Sequence, residues 1–211
     1  MSTQGQRDRG VVSDIRDRED LTSREIMDEL WKRDASFVRS YDRAFKWVFL
    51  ALGVLWFLPG IARRSGWQFL NSLAGLPAVV FPLGVIAVAV LLFLAAIALE
   101  TWLNWMRQQQ GGCHDTHETV AIVREGPYRV IRHPGYLAEM VYFGLAPIVF
   151  SRMVPFTILA AVAIGLALAS FAYLIRVEDS FNVRKWGDGY REYMADVPAV
   201  NFVRGLKRLR E

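Results

Sequence analysis

Cysteine is nearly absent. The single Cys113 excludes an internal disulfide, so the chain carries no sign of an oxidising compartment. Histidine is scarce too, at three residues, and two of these sit with Cys113 in a short cluster, Cys113, His114, His117 and Glu118. These are zinc-ligand types, but Gly111-Gly112 flanks them and no second ligand pair stands elsewhere, so no metal site is expected. The N-terminal segment lacks the apolar stretch of a cleaved signal peptide, and no Cys-a-a-X box ends the sequence, so prenylation is not expected. The net charge of +4 is modest. With no nucleic-acid-binding motif, it argues for contact with anionic lipid head groups and against nucleic acid as a partner. There is no internal repeat.

What is present in quantity is apolar. Hydrophobic residues form 53% of the chain and gather into runs at 45–62, 76–106, 136–150 and 154–175. The first is rich in Trp, Phe and Leu and reaches Pro59-Gly60, which is expected to end it. The second is interrupted early by Pro82 and closes on Trp102 and Trp105, placed like an interfacial aromatic belt. Glu100 and Asn104 near its end are expected to face protein or water. The third is short for a straight span of a ~30 Å hydrocarbon layer. The fourth carries Gly165, Ala169 and Ala172, small enough for close helix packing.

These runs predict an all-α, polytopic membrane bundle of about four transmembrane helices. Residues 1–44 form a separate charged region: a polar tail to about residue 20, then an amphipathic helix. Thr22 with Glu25 fits a capping box for that helix, and Ile26, Leu30, Phe37 and Tyr41 mark its apolar positions. Residues 45–211 form the membrane domain. Four spans place both ends of that domain on one side, with the 107–136 loop and the C-terminal segment together. Both are Arg-rich, which predicts cytoplasmic termini in a multi-pass integral membrane protein. Arg63 and Arg64 fall on the opposite side, against that trend.

The 107–136 loop holds the densest cluster of polar, aromatic and backbone-restricting residues: Gly126-Pro127-Tyr128, then Arg132-His133-Pro134-Gly135-Tyr136. Two prolines fix their own φ and bias the residue before each toward extended geometry. A rigid, folded loop is expected, presenting Tyr128, Arg132, His133 and Tyr136. Downstream, Arg176, Glu178 and Asp179 continue the fourth run into water. Gly187 and Gly189 are expected to break the helix, Tyr190 to open a short new one and Val197-Pro198 to stop it. Trp186 reads as an interface anchor, and Arg204, Lys207, Arg208 and Arg210 as a basic surface anchor.

This order of motifs resembles the isoprenylcysteine carboxyl methyltransferase and phospholipid methyltransferase group of membrane enzymes. Their pattern is G-P-Y-x-x-x-R-H-P-x-Y-x-G, then E-E, then F-G-x-x-Y-x-x-Y and V-P, and the match covers about residues 117–200. The resemblance implies S-adenosylmethionine as cofactor, held under a cytoplasmic cap built from the 107–136 loop and the C-terminal segment. By position, His133, Pro134, Gly135 and Tyr136 would contact the donor and Tyr128 would lie against it. Val120, Ala121, Ile122 and Val123 would line its adenine side. Glu178 would bind its amino end, Arg132 or His133 its carboxylate. Arg176 is the candidate facing the substrate. Glu139, a carboxylate one turn into an apolar run, is the candidate in the acceptor tunnel. Ala138 stands where the group often has Gly, Asp179 replaces the second Glu, and a proline usual after Val197-Pro198 is absent.

Methyl transfer from a sulfonium needs alignment and dehydration, which are worth roughly 7–11 kcal/mol, and the acceptor implied is lipophilic. An isoprenylcysteine-like carboxylate, a phospholipid amine and a small hydrophobic thiol or acid all fit. Two other functions stay open. One is an NADPH-dependent sterol or steroid reductase, since Lys185-Trp186-Gly187-Asp188-Gly189-Tyr190 is near the K-x-G-x-x-Y of such enzymes. The other is a non-catalytic membrane scaffold.

Overall fold

The computed structural model describes Glu25, Glu29 and residues 35–109 and 122–210. The polar tail, the capping box at Thr22, the apolar positions Ile26 and Leu30, and the Cys113–Glu118 cluster lie outside the described residues, as do the side chains of Phe37 and Tyr41. Among the described residues the regular structure is helical, apart from one isolated antiparallel bridge between Val79 and Phe156. The helices are α1 (Ala35–Ser65), α2 (Asn71–Ala74), α3 (Leu83–Gln109), α4 (Pro134–Val149), α5 (Ile158–Trp186), α6 (Asp188–Asp196) and α7 (Phe202–Arg208), with 3₁₀ turns at Gln68–Leu70 and Gly126–Arg129.

Three helical stretches are long and apolar enough to cross a membrane: Lys46–Ser65, Leu83–Gln109 and Ile158–Trp186. The expected third span is α4, whose 16 residues rise about 24 Å, less than a ~30 Å hydrocarbon layer. α5 has the opposite character. Its 29 residues rise about 43 Å, and no charge occurs from Ile158 to Ile175. The charged turns from Arg176 onward therefore extend beyond what a hydrocarbon layer needs.

Proline acts differently at three places. Pro59 does not end α1, which continues to Ser65. Pro59 is fully buried, and a Cβ on Gly60 would lie 3.4 Å from Pro155, so packing overrides the lost N–H. The real stop is Gly66, at φ 67°, which an L-residue adopts with difficulty. Pro82 instead sets the start of α3, its carbonyl accepting from Ile86 N at 3.2 Å, so residues 76–82 of the second apolar run are not helical. Pro134 occupies the first position of α4, where a missing N–H costs nothing.

The chain divides into two compact units. The second comprises residues 42–99 and 138–174. Its core joins Val48 and Leu52 of α1 to Ala163 and Ala167 of α5, with Leu55 and Phe143 packed against them. The small residues of α5 allow that approach. α3 leaves Leu83, Val88, Leu91, Leu92 and Leu94 exposed, an apolar surface that suits lipid.

The first unit includes residues 100–137 and 175–211. Two stretches far apart in sequence are bonded here through the backbone: Arg132 N donates to Pro198 O at 2.9 Å and His133 N to Ala199 O at 3.0 Å. Side chains add to this. Tyr193 Oη donates to Tyr128 O at 2.7 Å, Arg124 to Gly189 O at 2.7 Å, and Arg208 to Arg129 O. α7 lies so close to the loop that a Cβ on Gly205 would stand 2.0 Å from Val130 O. Residues 126–136 are thus folded and tied to the C-terminal segment, while residues 110–121 lie outside the described residues. α5 ends at Trp186, Gly187 turns at φ 59°, and α6 runs to Asp196, two residues before Pro198.

Candidate functional site

Consecutive residues of α5 present two carboxylates to one imidazole. Asp179 Oδ1 lies 2.8 Å from His133 Nε2, and Glu178 Oε1 lies 3.6 Å from His133 Nδ1. Asp179 also takes Arg132 Nη2 on Oδ2 at 2.8 Å and the Tyr190 hydroxyl on Oδ1 at 2.8 Å. Asn182 donates to Tyr190 Oη at 3.3 Å. Arg132, His133 and Asp179 are nearly removed from solvent, with side chains 8%, 3% and 12% exposed, whereas Glu178 keeps 27%. The buried charges survive because each is matched and hydrogen-bonded.

The cluster forms one wall of a cleft. Its lining includes Arg107 from α3, Ile122 and Val123, Tyr128, Arg132 and His133, Glu178, Asn182 and Trp186 from α5, and Tyr190 and Tyr193 from α6. Glu178, Asn182 and Trp186 recur every four residues, which puts them on one helical face. The cavity measures about 60 Å³, room for about two waters at ~30 Å³ each. Trp186 stacks on Tyr190 at 5.8 Å. The indole Nε1 of Trp186 is buried without an acceptor among the described residues. An unmatched buried donor on a cleft wall is a polar group awaiting a partner.

Burial works against a charge on His133, but the hydrogen bonds to Asp179 and Glu178 outweigh it and push its pKa up to about 9. At neutral pH it is an imidazolium that donates to Asp179 from Nε2 and is paired with Glu178 on the Nδ1 side, and is not available as a base. Burial pushes the Tyr128 hydroxyl up to about 12. It raises Tyr190 further, with the Asp179 and Glu178 charges adding to it, and it also raises Tyr193, where Tyr128 adds to it. All three remain neutral phenols.

Of the residues singled out from the sequence, Ile122, Val123, Tyr128, Arg132, His133 and Glu178 line the cleft together. Tyr136 is buried beside them, its ring 5.6 Å from that of His133, and it helps to hold the Glu178 carboxyl below its ordinary range. Pro134 and Gly135 form the first turn of α4. Val120 and Ala121 lie outside the described residues. Arg132 is engaged by Asp179 and by the carbonyls of Met194 and Val197, so it braces the site and is not free to hold a ligand's carboxylate. Arg176 is exposed and does not line the cleft. Residues two apart on a helix point about 200° from each other, so Arg176 cannot share the face of Glu178. Glu139 belongs to the second unit and is not among the lining residues.

The cleft also contains residues that sequence reasoning did not select. Trp186, read as an interface anchor, is a wall of the cavity. Its spacing of four and eight from Asn182 and Glu178 was the available signal. Arg107 stands one turn beyond Trp102 and Leu103 at the polar end of an apolar run, where a charge invites attention. Tyr190 and Tyr193 were legible as motif residues, but their contacts with Asp179 and the Tyr128 carbonyl were not. No His, Cys, Asp or Glu grouping suited to a metal ion occurs among the described residues.

No curated protein and no solved structure matches the chain. One family model does, over residues 69–197, a stretch that holds α3 to α6 and every lining residue of the cleft. With more than half of its length matched, the chain belongs to the family described as protein of unknown function (DUF1295).

Proposed function

We propose that this is an integral membrane methyltransferase that uses S-adenosylmethionine and acts on a lipophilic acceptor arriving already ionised. The observation that carries the reading is the pairing of the two distant motifs: His133 and Glu178, 45 positions apart in sequence, meet at 3.6 Å on one cleft wall. The family's place in the steroid-reductase- and methyltransferase-like membrane superfamily is compatible with it. The finer likeness to the isoprenylcysteine carboxyl methyltransferases rests on the motifs.

The lining chemistry fits such a donor. Glu178 offers an accessible carboxylate for its ammonium, by a charge-assisted hydrogen bond. Arg107, whose charge acts on Glu178 and Tyr128, is the guanidinium for its carboxylate. Trp186 Nε1 is a donor for one of its polar atoms. The rings of Tyr128, Tyr190 and Trp186 suit a cation at about 0.5–2 kcal/mol. The cavity of about 60 Å³ is smaller than a nucleoside, so binding widens the cleft on this reading. When bound, S-adenosylmethionine supplies an electrophilic methyl group. The chain's own residues then align and dehydrate the reactants. His133, already protonated, orients Glu178 and takes no proton from the acceptor. A carboxylate or thiolate acceptor therefore suits this site better than an amine. Arg176 and Glu139 remain candidates for contact with the acceptor.

A second reading is a nicotinamide-dependent reductase. Its support is Lys185, which is almost fully buried with Nζ 4.2 Å from the Trp186 ring, five residues before Tyr190 in a K-x-G-x-x-Y order. Calorimetric titration of the detergent-solubilised protein separates the readings. S-adenosylmethionine should bind and NADPH should not. Binding of NADPH alone would replace the first reading by the second, and binding of neither would refute both.

A further inference from the structure

Within the second unit lies a larger cavity, of about 350 Å³. It sits where the three candidate spans have their ends: α1 finishes at Ser65, α3 starts at Leu83 and α5 at Ile158. Its lining contains Arg63 and Arg64 from the last turn of α1 and Arg152 from the α4–α5 turn, with no acidic side chain among the described residues that line it. Arg63 and Arg64 were the arginines that ran against the charge trend of the sequence.

Each guanidinium is held by backbone. Arg63 donates to Ala74 O at 3.0 Å and Leu76 O at 2.6 Å, Arg64 to Met153 O at 3.2 Å, and Arg152 to Phe81 O at 3.4 Å. Carbonyls fix the position of a guanidinium but leave its charge unneutralised, and each retains N–H groups beyond those used. Three cations are thereby pre-positioned around one hollow with no counter-ion on its walls among the described residues. Ser151 also lines the hollow, and its hydroxyl oxygen is buried with no partner among the described residues. The rim is apolar and exposed, with Val80 at 73% and Met153 at 66%.

A cationic hollow with a hydroxyl donor and an apolar rim, at the level where membrane helices end, matches an amphiphile with an anionic head. We infer that this cavity binds the phosphate head group of an anionic phospholipid, with Arg63, Arg64 and Arg152 on the phosphate oxygens and Val80 and Met153 against the start of the acyl chains. Arginine suits the task because its planar fork meets two phosphate oxygens at once.

The test is binding of short-chain phosphatidic acid to the full chain in neutral detergent, followed by native mass spectrometry. Phosphatidylcholine of the same chain length and inorganic phosphate are the comparison arms. Phosphatidic acid should bind at least tenfold more tightly than either. Arg152→Gln should weaken it several-fold and Arg152→Lys less. Ala78→Asp is the variant least exposed to folding effects, because Ala78 is a solvent-exposed lining residue. It places an anion in the hollow and should weaken binding at least tenfold. Equal binding of phosphatidylcholine, tighter binding of inorganic phosphate than of the lipid, or indifference to Ala78→Asp would each overturn the inference.

Discussion

Replacing Asp179 by asparagine keeps the shape of the side chain and removes its charge. Three groups then lose the anion they share: Arg132 at 2.8 Å, His133 at 2.8 Å and the Tyr190 hydroxyl at 2.8 Å. The Arg132 guanidinium is left without its counter-ion, and removing one partner of a buried pair costs about 3–5 kcal/mol. His133 can shed its proton, which makes the effect depend on pH. Burial opposes its charge, but Asp179 and Glu178 raise its pKa from 6.5 to about 9. A raised folded-state value means that stability from the imidazolium is fully present below about pH 6.5 and is lost as pH rises through about 9. At about 1.4 kcal/mol per tenfold change, that window holds at most ~3 kcal/mol. In Asp179→Asn only Glu178, at 3.6 Å from Nδ1, still favours the charge, so the window shrinks toward the ordinary histidine value. The assay is denaturant unfolding of the purified protein in neutral detergent from about pH 6 to about pH 10. The parent should lose stability on the alkaline side. The variant should be less stable by about 3 kcal/mol near neutrality and show a flatter profile. Equal stability, or parallel pH profiles for the two proteins, would refute the account of the cluster.

Glu178→Gln should lower S-adenosylmethionine affinity at least tenfold in calorimetry and destabilise the fold less than Asp179→Asn does, because Glu178 is the more exposed of the two carboxylates and lies farther from His133. Unaltered affinity would remove it from the donor site. Gly205→Ala forces a methyl group to within 2.0 Å of Val130 O and should destabilise the clamp by about 1–3 kcal/mol or more. Hydrogen exchange at the amides of Arg132 and His133 should speed up in that variant, and unchanged exchange would contradict the close approach. Tyr193→Phe removes the 2.7 Å bond to Tyr128 O and should cost about 1 kcal/mol, read as a shift in unfolding midpoint. Arg176→Gln should raise the KM for the acceptor without altering donor affinity, if Arg176 faces the acceptor. A loss of donor binding would place it at the cleft instead.

The sequence made the helical class, the apolar helices and the two motifs legible, because composition and period carry those signals directly. Helix limits were legible where glycine or proline acts locally. Gly187 breaks α5 from α6 as expected, but Gly189, expected to share that break, lies inside α6, which opens at Asp188 and not at Tyr190. Pro59 sits inside α1 because packing against residues far along the chain decides there. The site was half legible. The motif placed His133 and Glu178 together, but not which carboxylate anchors the cluster. Asp179, read as a shortened substitute for Glu, is the side chain on which Arg132, His133 and Tyr190 converge. Its short reach suits a buried hub, while Glu178 keeps the accessible position. Arg107 escaped notice because nothing in its local spacing connects it with a helix beginning fifty residues later.

The backbone bonds from Arg132 and His133 to Pro198 and Ala199 make the cleft depend on nearly the last stretch of the chain. The core of the second unit draws on residues up to 174, and domains form as their segments become available. The apolar core of that unit therefore needs none of residues 175–211. A chain cut before residue 198 keeps every segment of that core but loses the acceptors of the Arg132 and His133 amides, so the paired charges of His133, Glu178 and Asp179 lose a segment that shields them from water.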